Sequence, residues 1–179
     1  MSRAIREALG SFGIFQVKLT RDRDIFIPLR ERIKIAREAG ADLFISVHAD
    51  SIKKPSIRGA SVYTLSERAS DKEAAALAEK ENKADLIADI DLAKYEDTTN
   101  DILIDLSQRE ALNQAARFAT ILKGELKQRI RLLRNTHRSA GFAVLKAPDV
   151  PSVLLEVGFL SNVHDERALK TPAYRKKIA

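Results

Sequence analysis

The spacing of hydrophobic positions in the first third of the chain predicts strands that alternate with a helix. Residues 15–24 alternate apolar and polar side chains and then become polar, which is typical of a strand that ends in a loop. Residues 27–40 repeat apolar side chains at helical spacing, whereas 41–50 and 59–66 are short apolar runs that indicate strands. A strand, a helix and a strand in this order predict a βαβ unit with two parallel strands.

The middle of the chain has the composition of helices. From about residue 70 to 130 it is rich in Ala, Glu, Lys, Leu and Gln, with no Pro and no Gly before Gly124. We predict one helix over 70–90 and a longer helix over 97–130. An apolar stripe on the longer helix predicts packing on a sheet, and it consists of Ile102, Leu106, Leu112, Ala115, Ala119, Leu122 and Leu126.

Strands are predicted again after residue 134. Residues 141–148 and 150–159 are short apolar segments, and Ser161 or Asn162 can cap a helix that begins within 161–170. Together the segments predict an α/β fold: a single, mostly parallel sheet flanked by helices, with a helical insertion.

Composition narrows the kinds of partner and site. The net charge of +6 favours an anionic partner such as nucleic acid, a membrane surface or an acidic cell-wall polymer, and a solvated basic surface is the alternative. Basic and aromatic residues are not interleaved, so base stacking with single strands is not predicted. No apolar stretch suits a membrane span or a signal peptide. Because the chain has no cysteine, a metal would need His, Asp or Glu.

His48 and Glu156 are the candidate chemical groups. His48 lies at the end of one predicted strand, and Glu156 is the one carboxylate in the apolar run 150–159. If the two strands are neighbours, both side chains reach the sheet edge where α/β folds collect ligands. An imidazole and a carboxylate suit a zinc hydrolase, in which a Glu off the metal takes a proton from water. A hydrogen-bonded structural His and a Glu paired with an Arg are the alternatives.

Other chemistry is not indicated by the sequence. His137 and His164 stand in polar segments that resemble helices or loops, and we predict that both are surface residues. The chain has no GxSxG nucleophile elbow, no phosphate loop and no GxGxxG segment.

Two long segments resemble a known family. "LTRDRDIFIPLRERIKIAREAGADLFISVHADS" (19–51) and "AGFAVLKAPDVPSVLLEVGFLSN" (140–162) resemble the two main blocks of the zinc-dependent N-acetylmuramoyl-L-alanine amidases of bacterial cell-wall turnover. The resemblance implies cleavage of the amide between N-acetylmuramic acid and L-alanine in peptidoglycan, with Zn²⁺ as the cofactor. It also implies that His48 is a zinc ligand and that Glu156 is the catalytic glutamate.

The resemblance implies two further zinc ligands that are not present in this chain. In the family, a His in a Gly-rich turn ends the first strand and a Glu follows on the next helix, whereas this chain begins within that helix. We therefore expect residues 1–179 to be an amidase catalytic domain that is incomplete at its N-terminus and binds zinc weakly. The alternative is a non-catalytic wall-binding or regulatory module on an amidase scaffold.

Residues 77–91 resemble the regulatory stretch of one subgroup, the periplasmic division amidases. In that subgroup an acidic residue covers the zinc until an activator with a LytM-type domain moves the helix aside. The resemblance implies an autoinhibitory helical insertion over 67–107 with Glu81 as the covering residue, and a solvated helix position is the alternative for Glu81. It also implies a periplasmic location, a role in daughter-cell separation, and peptidoglycan and a LytM-domain activator as partners. A nucleic-acid partner would rest on charge alone and is not expected.

Overall fold

A computed structural model of the chain describes residues 1–87 and 102–179, without the side chains of 86, 87 and 102–105. The α-helices are α1 (Ser2–Gly10), α2 (Leu29–Glu38), α3 (Lys72–Asn82), α4 (Ala84–Ile87), α5 (Ile102–Arg129), α6 (Val163–Lys170) and α7 (Pro172–Ile178). The strands are β1 (Phe44–His48), β2 (Ala60–Leu65), β3 (Leu132–Ala140) and β4 (Ser152–Glu156), and a short 3₁₀ helix spans Ala143–Leu145. Of the helices in this described part, none has the length and apolarity needed to span a membrane.

The described strands form one four-stranded sheet in the order β1-β4-β2-β3. β1 runs parallel to β4 and β2 parallel to β3, while β2 and β4 are antiparallel. The predicted α/β fold with a mostly parallel sheet is therefore confirmed. Every residue of β4 is buried, because helices cover both faces of this strand.

The two faces of β4 pack against different helices. Val153 and Leu155 share a core with α5 and α7, whereas Leu154 shares a core with α2 and α3. Successive side chains of a strand point to opposite faces. Glu156 therefore lies on the face that α2 and α3 cover.

The predicted strand over 15–24 is wrong, and so is the βαβ unit built on it. β1 lies at one edge of the sheet, and none of the described residues adds a strand to its outer side. A strand needs a neighbour for its backbone N–H and C=O groups, and 15–24 lack that neighbour. Phe15 in this segment is 51% exposed, and Phe12 and Ile14 just before it are 68% and 80% exposed.

The predicted strand over 141–148 is also wrong. Its residues include the 3₁₀ helix, and the strand lies earlier in the chain, as β3. β3 carries polar side chains and is only partly buried at the other edge of the sheet, so its hydrophobic pattern is weak.

The helix predictions are largely confirmed. α3 and α4 replace the single helix over 70–90, with Lys83 between them, and α5 occupies most of 97–130. In the apolar stripe of α5, Ala115, Ala119 and Leu126 are buried, but Leu106 is 58% exposed. Residues 88–101, which belong to the predicted insertion 67–107, lie outside the described residues.

The turn after β4 requires a glycine. Gly158 has a φ of +143°, and a Cβ at this position would lie 3.2 Å from a carboxylate oxygen of Asp165. That oxygen accepts hydrogen bonds from the backbone N–H groups of Gly59 and Phe159. The turn is therefore fixed by one buried carboxylate that has little room to move.

We expect Gly158→Ala to lower the free energy of unfolding by about 1–3 kcal/mol, because an L side chain is strained at this φ. Urea unfolding followed by circular dichroism measures the change. Gly124→Ala is the matched control, since a Cβ there meets open space within α5 and should stabilise the helix by up to about 1 kcal/mol. Equal stability of Gly158→Ala and the unsubstituted protein would contradict this account of the turn.

Candidate metal centre

The ends of β1 and β4 bring His48 and Glu156 together. The two residues are direct partners in the parallel register, and the N–H of Val157 donates to the carbonyl of His48 at 2.9 Å. Paired positions of neighbouring strands carry their side chains on the same face of the sheet. The predicted juxtaposition at the carboxyl edge of the sheet is therefore confirmed, whereas the chemical roles of the two residues stay predictions.

Glu156 is completely buried. Its exposed fraction is 0%, and its Oε1 accepts a hydrogen bond of 2.8 Å from the backbone N–H of Asp50. Its Oε2 has no hydrogen-bond partner among the described residues. Burial raises the pKa of Glu156 well above its usual value, and the nearby carboxylates of Asp50 and Glu81 raise it further against the effect of the Asp50 N–H. The side chain is thus suited to hold a proton.

Three side chains converge on the same edge of the sheet. The donor atoms of His48, Asp50 and Glu81 lie within 4.8 Å of one another. His48 Nδ1 lies 2.9 Å from Glu81 Oε2, and Asp50 follows β1 by two residues. One imidazole and two carboxylates are a donor set that zinc accepts in proteins. The group therefore fits a metal ion by its chemistry.

Asp50 was not among the metal ligands predicted from the sequence. The signal was its place two residues after His48, just past the end of a buried strand. A carboxylate after a strand is more often solvated, whereas Asp50 is buried and contacts Lys80 of α3.

The pKa values of Asp50 and Glu81 are shifted in opposite directions. Lys80 Nζ lies 2.7 Å from Asp50 Oδ1, but burial outweighs this contact and raises the pKa of Asp50. Asp50 Oδ2 is buried without a hydrogen-bond partner in the part of the chain that the structure describes. Burial would also raise the pKa of Glu81, but its interactions with His48, and then with Asp50 and Lys80, together lower it. Glu81 is thus held as a carboxylate against the imidazole.

Two carboxylates anchor helices α3 and α4. Asp71 caps α3 by accepting from the N–H of Ala74, and its ion pair with Arg138 on β3 lowers the pKa of Asp71 to about 2. Asp85 on α4 is buried and accepts from the N–H of Leu29 at 3.0 Å, which caps the start of α2. Both helices are therefore tied to the body of the domain.

The end of α3 is fixed next to Glu81. The side-chain amide of Asn82 donates to the carbonyl of Gly141 at 2.8 Å and accepts from the N–H of Ala143 at 2.7 Å. This paired contact holds the last turn of α3 on the loop after β3. Glu81 therefore reaches His48 from a helix that is secured on both of its ends.

The other two histidines lie apart from this group. His164 is exposed at the start of α6, as predicted. The sequence predicted a polar loop or helix around His137, but this residue lies on β3. There it is half-buried, and its Nε2 lies 3.1 Å from Thr64 Oγ1. Within the described residues, neither one joins His48 as a metal ligand.

Comparison with known proteins decides the family. Residues 1–179, the whole chain, match the family model described as N-acetylmuramoyl-L-alanine amidase (Amidase_3). The chain belongs to this family. The resemblance noted in the sequence is thereby confirmed.

Similar amidases include AmiA of Salmonella typhimurium, which is 39% identical over 180 residues, and AmiC of Escherichia coli O6:H1, which is 37% identical over 182 residues. Each match covers the whole of this chain, but 62% of that AmiA and 43% of that AmiC. The chain therefore spans less than two thirds of the length of these relatives.

Solved amidase structures share the fold. Ami1 of Mycobacterium smegmatis has a TM-score of 0.65 at 18% identity, covering 99% of this chain and 67% of that one. AmiC2 of Nostoc punctiforme has a TM-score of 0.62 at 22% identity, covering 98% of this chain and 72% of that one. The α/β sheet described above is thus the fold of amidase domains.

Proposed function

We propose that this chain is a zinc-dependent hydrolase that cleaves the amide between N-acetylmuramic acid and L-alanine in peptidoglycan. The observation that carries the proposal is the convergence of the His48, Asp50 and Glu81 donor atoms beside the buried Glu156. Family membership and the names of the relatives support the same reaction.

The proposed metal ligands in this chain are His48 and Asp50, with Glu81 as a further ligand in the latent state. Their atoms fit zinc in donor type, and the unpartnered Oδ2 of Asp50 is a buried oxygen that a cation would stabilise. When bound, zinc would supply a Lewis acid that polarises the scissile carbonyl and lowers the pKa of a water molecule.

Glu156 is the proposed proton acceptor. Its Oε1 is fixed by the Asp50 N–H, while Oε2 has no hydrogen-bond partner among the described residues and is free to take the proton of the attacking water. As the C–N bond breaks, the same carboxyl returns that proton to the leaving amine nitrogen of L-alanine. A raised pKa favours this return, because the carboxyl must hold the proton between the two transfers.

Glu81 is proposed to keep the site latent. Its carboxylate lies on His48 from a helix that covers the carboxyl edge of the sheet, where a substrate carbonyl would have to bind. An activator that binds the displaced helix would shift the population toward an open site. The resemblance to division amidases supports a LytM-domain protein as activator, a periplasmic location and a role in daughter-cell separation.

We expect Glu81→Ala to raise basal hydrolysis about tenfold at saturating zinc, because losing a contact of about 1.4 kcal/mol shifts a two-state equilibrium by that factor. Release of stem peptide from purified peptidoglycan measures the rate. Glu79→Ala is the matched control, since Glu79 lies on the same helix but pairs with Lys83 at the surface. Equal rates for Glu81→Ala and Glu79→Ala would contradict the latch.

The reaction itself is tested on purified peptidoglycan with added zinc. Mass spectrometry should detect stem peptides with a free L-alanine amine and glycan strands with a free lactyl carboxylate, and a chelator should stop their release. Binding to peptidoglycan without these products, with zinc present and Glu81 replaced by Ala, would favour the non-catalytic wall-binding module instead.

A further inference from the structure

The imidazole of His48 has a partner on each of its two ring nitrogens. Nδ1 lies 2.9 Å from Glu81 Oε2, and Nε2 lies 2.9 Å from the hydroxyl of Ser46. Ser46 precedes His48 by two residues on β1, so both side chains stand on the same face of the sheet. Ser46 is buried, with 6% of its surface exposed.

The neighbouring strand β4 offers no polar side chain opposite Ser46 in place of the Ser46 hydroxyl. The register partner of Ser46 on β4 is Leu154, an apolar residue. Among the described residues, Ser46 makes the one hydrogen bond to Nε2 of His48. Without that hydroxyl, a ring nitrogen of a side chain that is only 14% exposed would lose its hydrogen-bond partner, which is unfavourable.

The two proton arrangements of the ring need different partners at Nε2. When Nδ1 carries the proton, it donates to Glu81, and Nε2 must then accept a hydrogen bond. When Nδ1 binds a metal, Nε2 carries the proton and must donate one. A hydroxyl both donates and accepts, so Ser46 can satisfy Nε2 in each arrangement by rotating its O–H.

We propose that Ser46 is a positioning residue of the metal centre, which holds the His48 ring with Nδ1 toward Glu81 both with and without a metal. This inference rests on the metal site proposed above. It adds to that site a residue that contacts neither the metal nor the substrate. Partners of this kind fix the tautomer and orientation of a metal-binding imidazole.

The test compares Ser46→Ala with Ser46→Thr, which keeps the hydroxyl on a strand. We expect Ser46→Ala to weaken zinc binding about 10- to 100-fold in calorimetry, and Ser46→Thr to restore most of it. In the zinc-free protein, the ¹⁵N chemical shift of His48 Nε2 should change in Ser46→Ala and return toward its original value in Ser46→Thr. Unchanged thermal unfolding and amide spectra show that each variant is folded.

Thr64→Ala is the matched control, because Thr64 and His137 form the same kind of hydroxyl–imidazole pair on the neighbouring strands β2 and β3. It should change the ring shifts of His137 and leave zinc affinity as it was. Equal zinc affinity of Ser46→Ala and the unsubstituted protein would overturn the role of Ser46 alone. Absence of zinc binding by the unsubstituted protein would overturn the metal site, and the role of Ser46 with it.

Discussion

Glu156→Gln is expected to lose amide hydrolysis by a factor of about 10²–10⁴ and to keep zinc binding, because an amide cannot take up the proton that the mechanism gives to Oε2. Gln has the same shape, and its carbonyl oxygen can still accept from the Asp50 N–H. The fold should therefore be preserved, since a neutral group replaces a carboxyl with no exposed surface.

Hydrolysis is measured as stem-peptide release and zinc binding by calorimetry, both on the same preparation of Glu156→Gln. Glu166→Gln is the control, because Glu166 pairs with Lys170 on the surface of α6 and has no contact with the site. Hydrolysis by Glu156→Gln at the rate of that control would remove Glu156 from the reaction. Loss of zinc binding in Glu156→Gln would instead assign the residue to the metal.

His48→Ala is expected to weaken zinc binding by more than about a hundredfold, since loss of an outer-shell partner alone costs about 10–100-fold. His48 supplies the one imidazole of the described metal-ligand group. Its removal leaves two carboxylates, and carboxylates alone suit calcium or magnesium better than zinc. The sequence, with His48 as the one family ligand, predicted weak binding. Because the structure adds the carboxylates of Asp50 and Glu81 to His48, we now expect the unsubstituted protein to bind one zinc ion.

Zinc calorimetry measures this change as well. His164→Ala is the matched control, because it removes an exposed imidazole that is not among the described ligands. A zinc affinity of His48→Ala equal to that of His164→Ala would place the ion somewhere else on the protein.

The parts of the fold that the sequence predicted are those with a strong local pattern. β1, β2 and β4 lie in short apolar runs, and α2 begins after Pro28 and ends before Gly40, whose φ is +59°. Such patterns depend on residues close in sequence, so they can be interpreted without the rest of the molecule.

The failures come from contacts between distant segments. Residues 15–24 alternate correctly for a strand, but they pair with no strand among the described residues. β3 carries a weak apolar pattern and becomes a strand because β2 lies beside it. A strand is decided by its partner as well as by its own sequence.

The candidate site also contains residues that the sequence predicted and residues that it did not. His48 and Glu156 were predicted because each ends a strand, and Glu81 came from the resemblance to a regulated subgroup of amidases. Asp50 and Ser46 carry no such mark, since one follows a strand and the other is a small polar residue within it. Lys80, the partner of Asp50, is 30 residues away on α3, and the hydrogen bond of Ser46 depends on the orientation of the His48 ring.

The most direct test of the account is a crystal structure with zinc, in which anomalous scattering locates the ion. We expect one zinc ion bonded to His48 Nδ1 and to carboxylate oxygens of Asp50 and Glu81 at about 2.0–2.2 Å, with Glu156 near the ion but not bonded to it. An ion on His137 or His164, or no ion at the shared end of β1 and β4, would contradict the account.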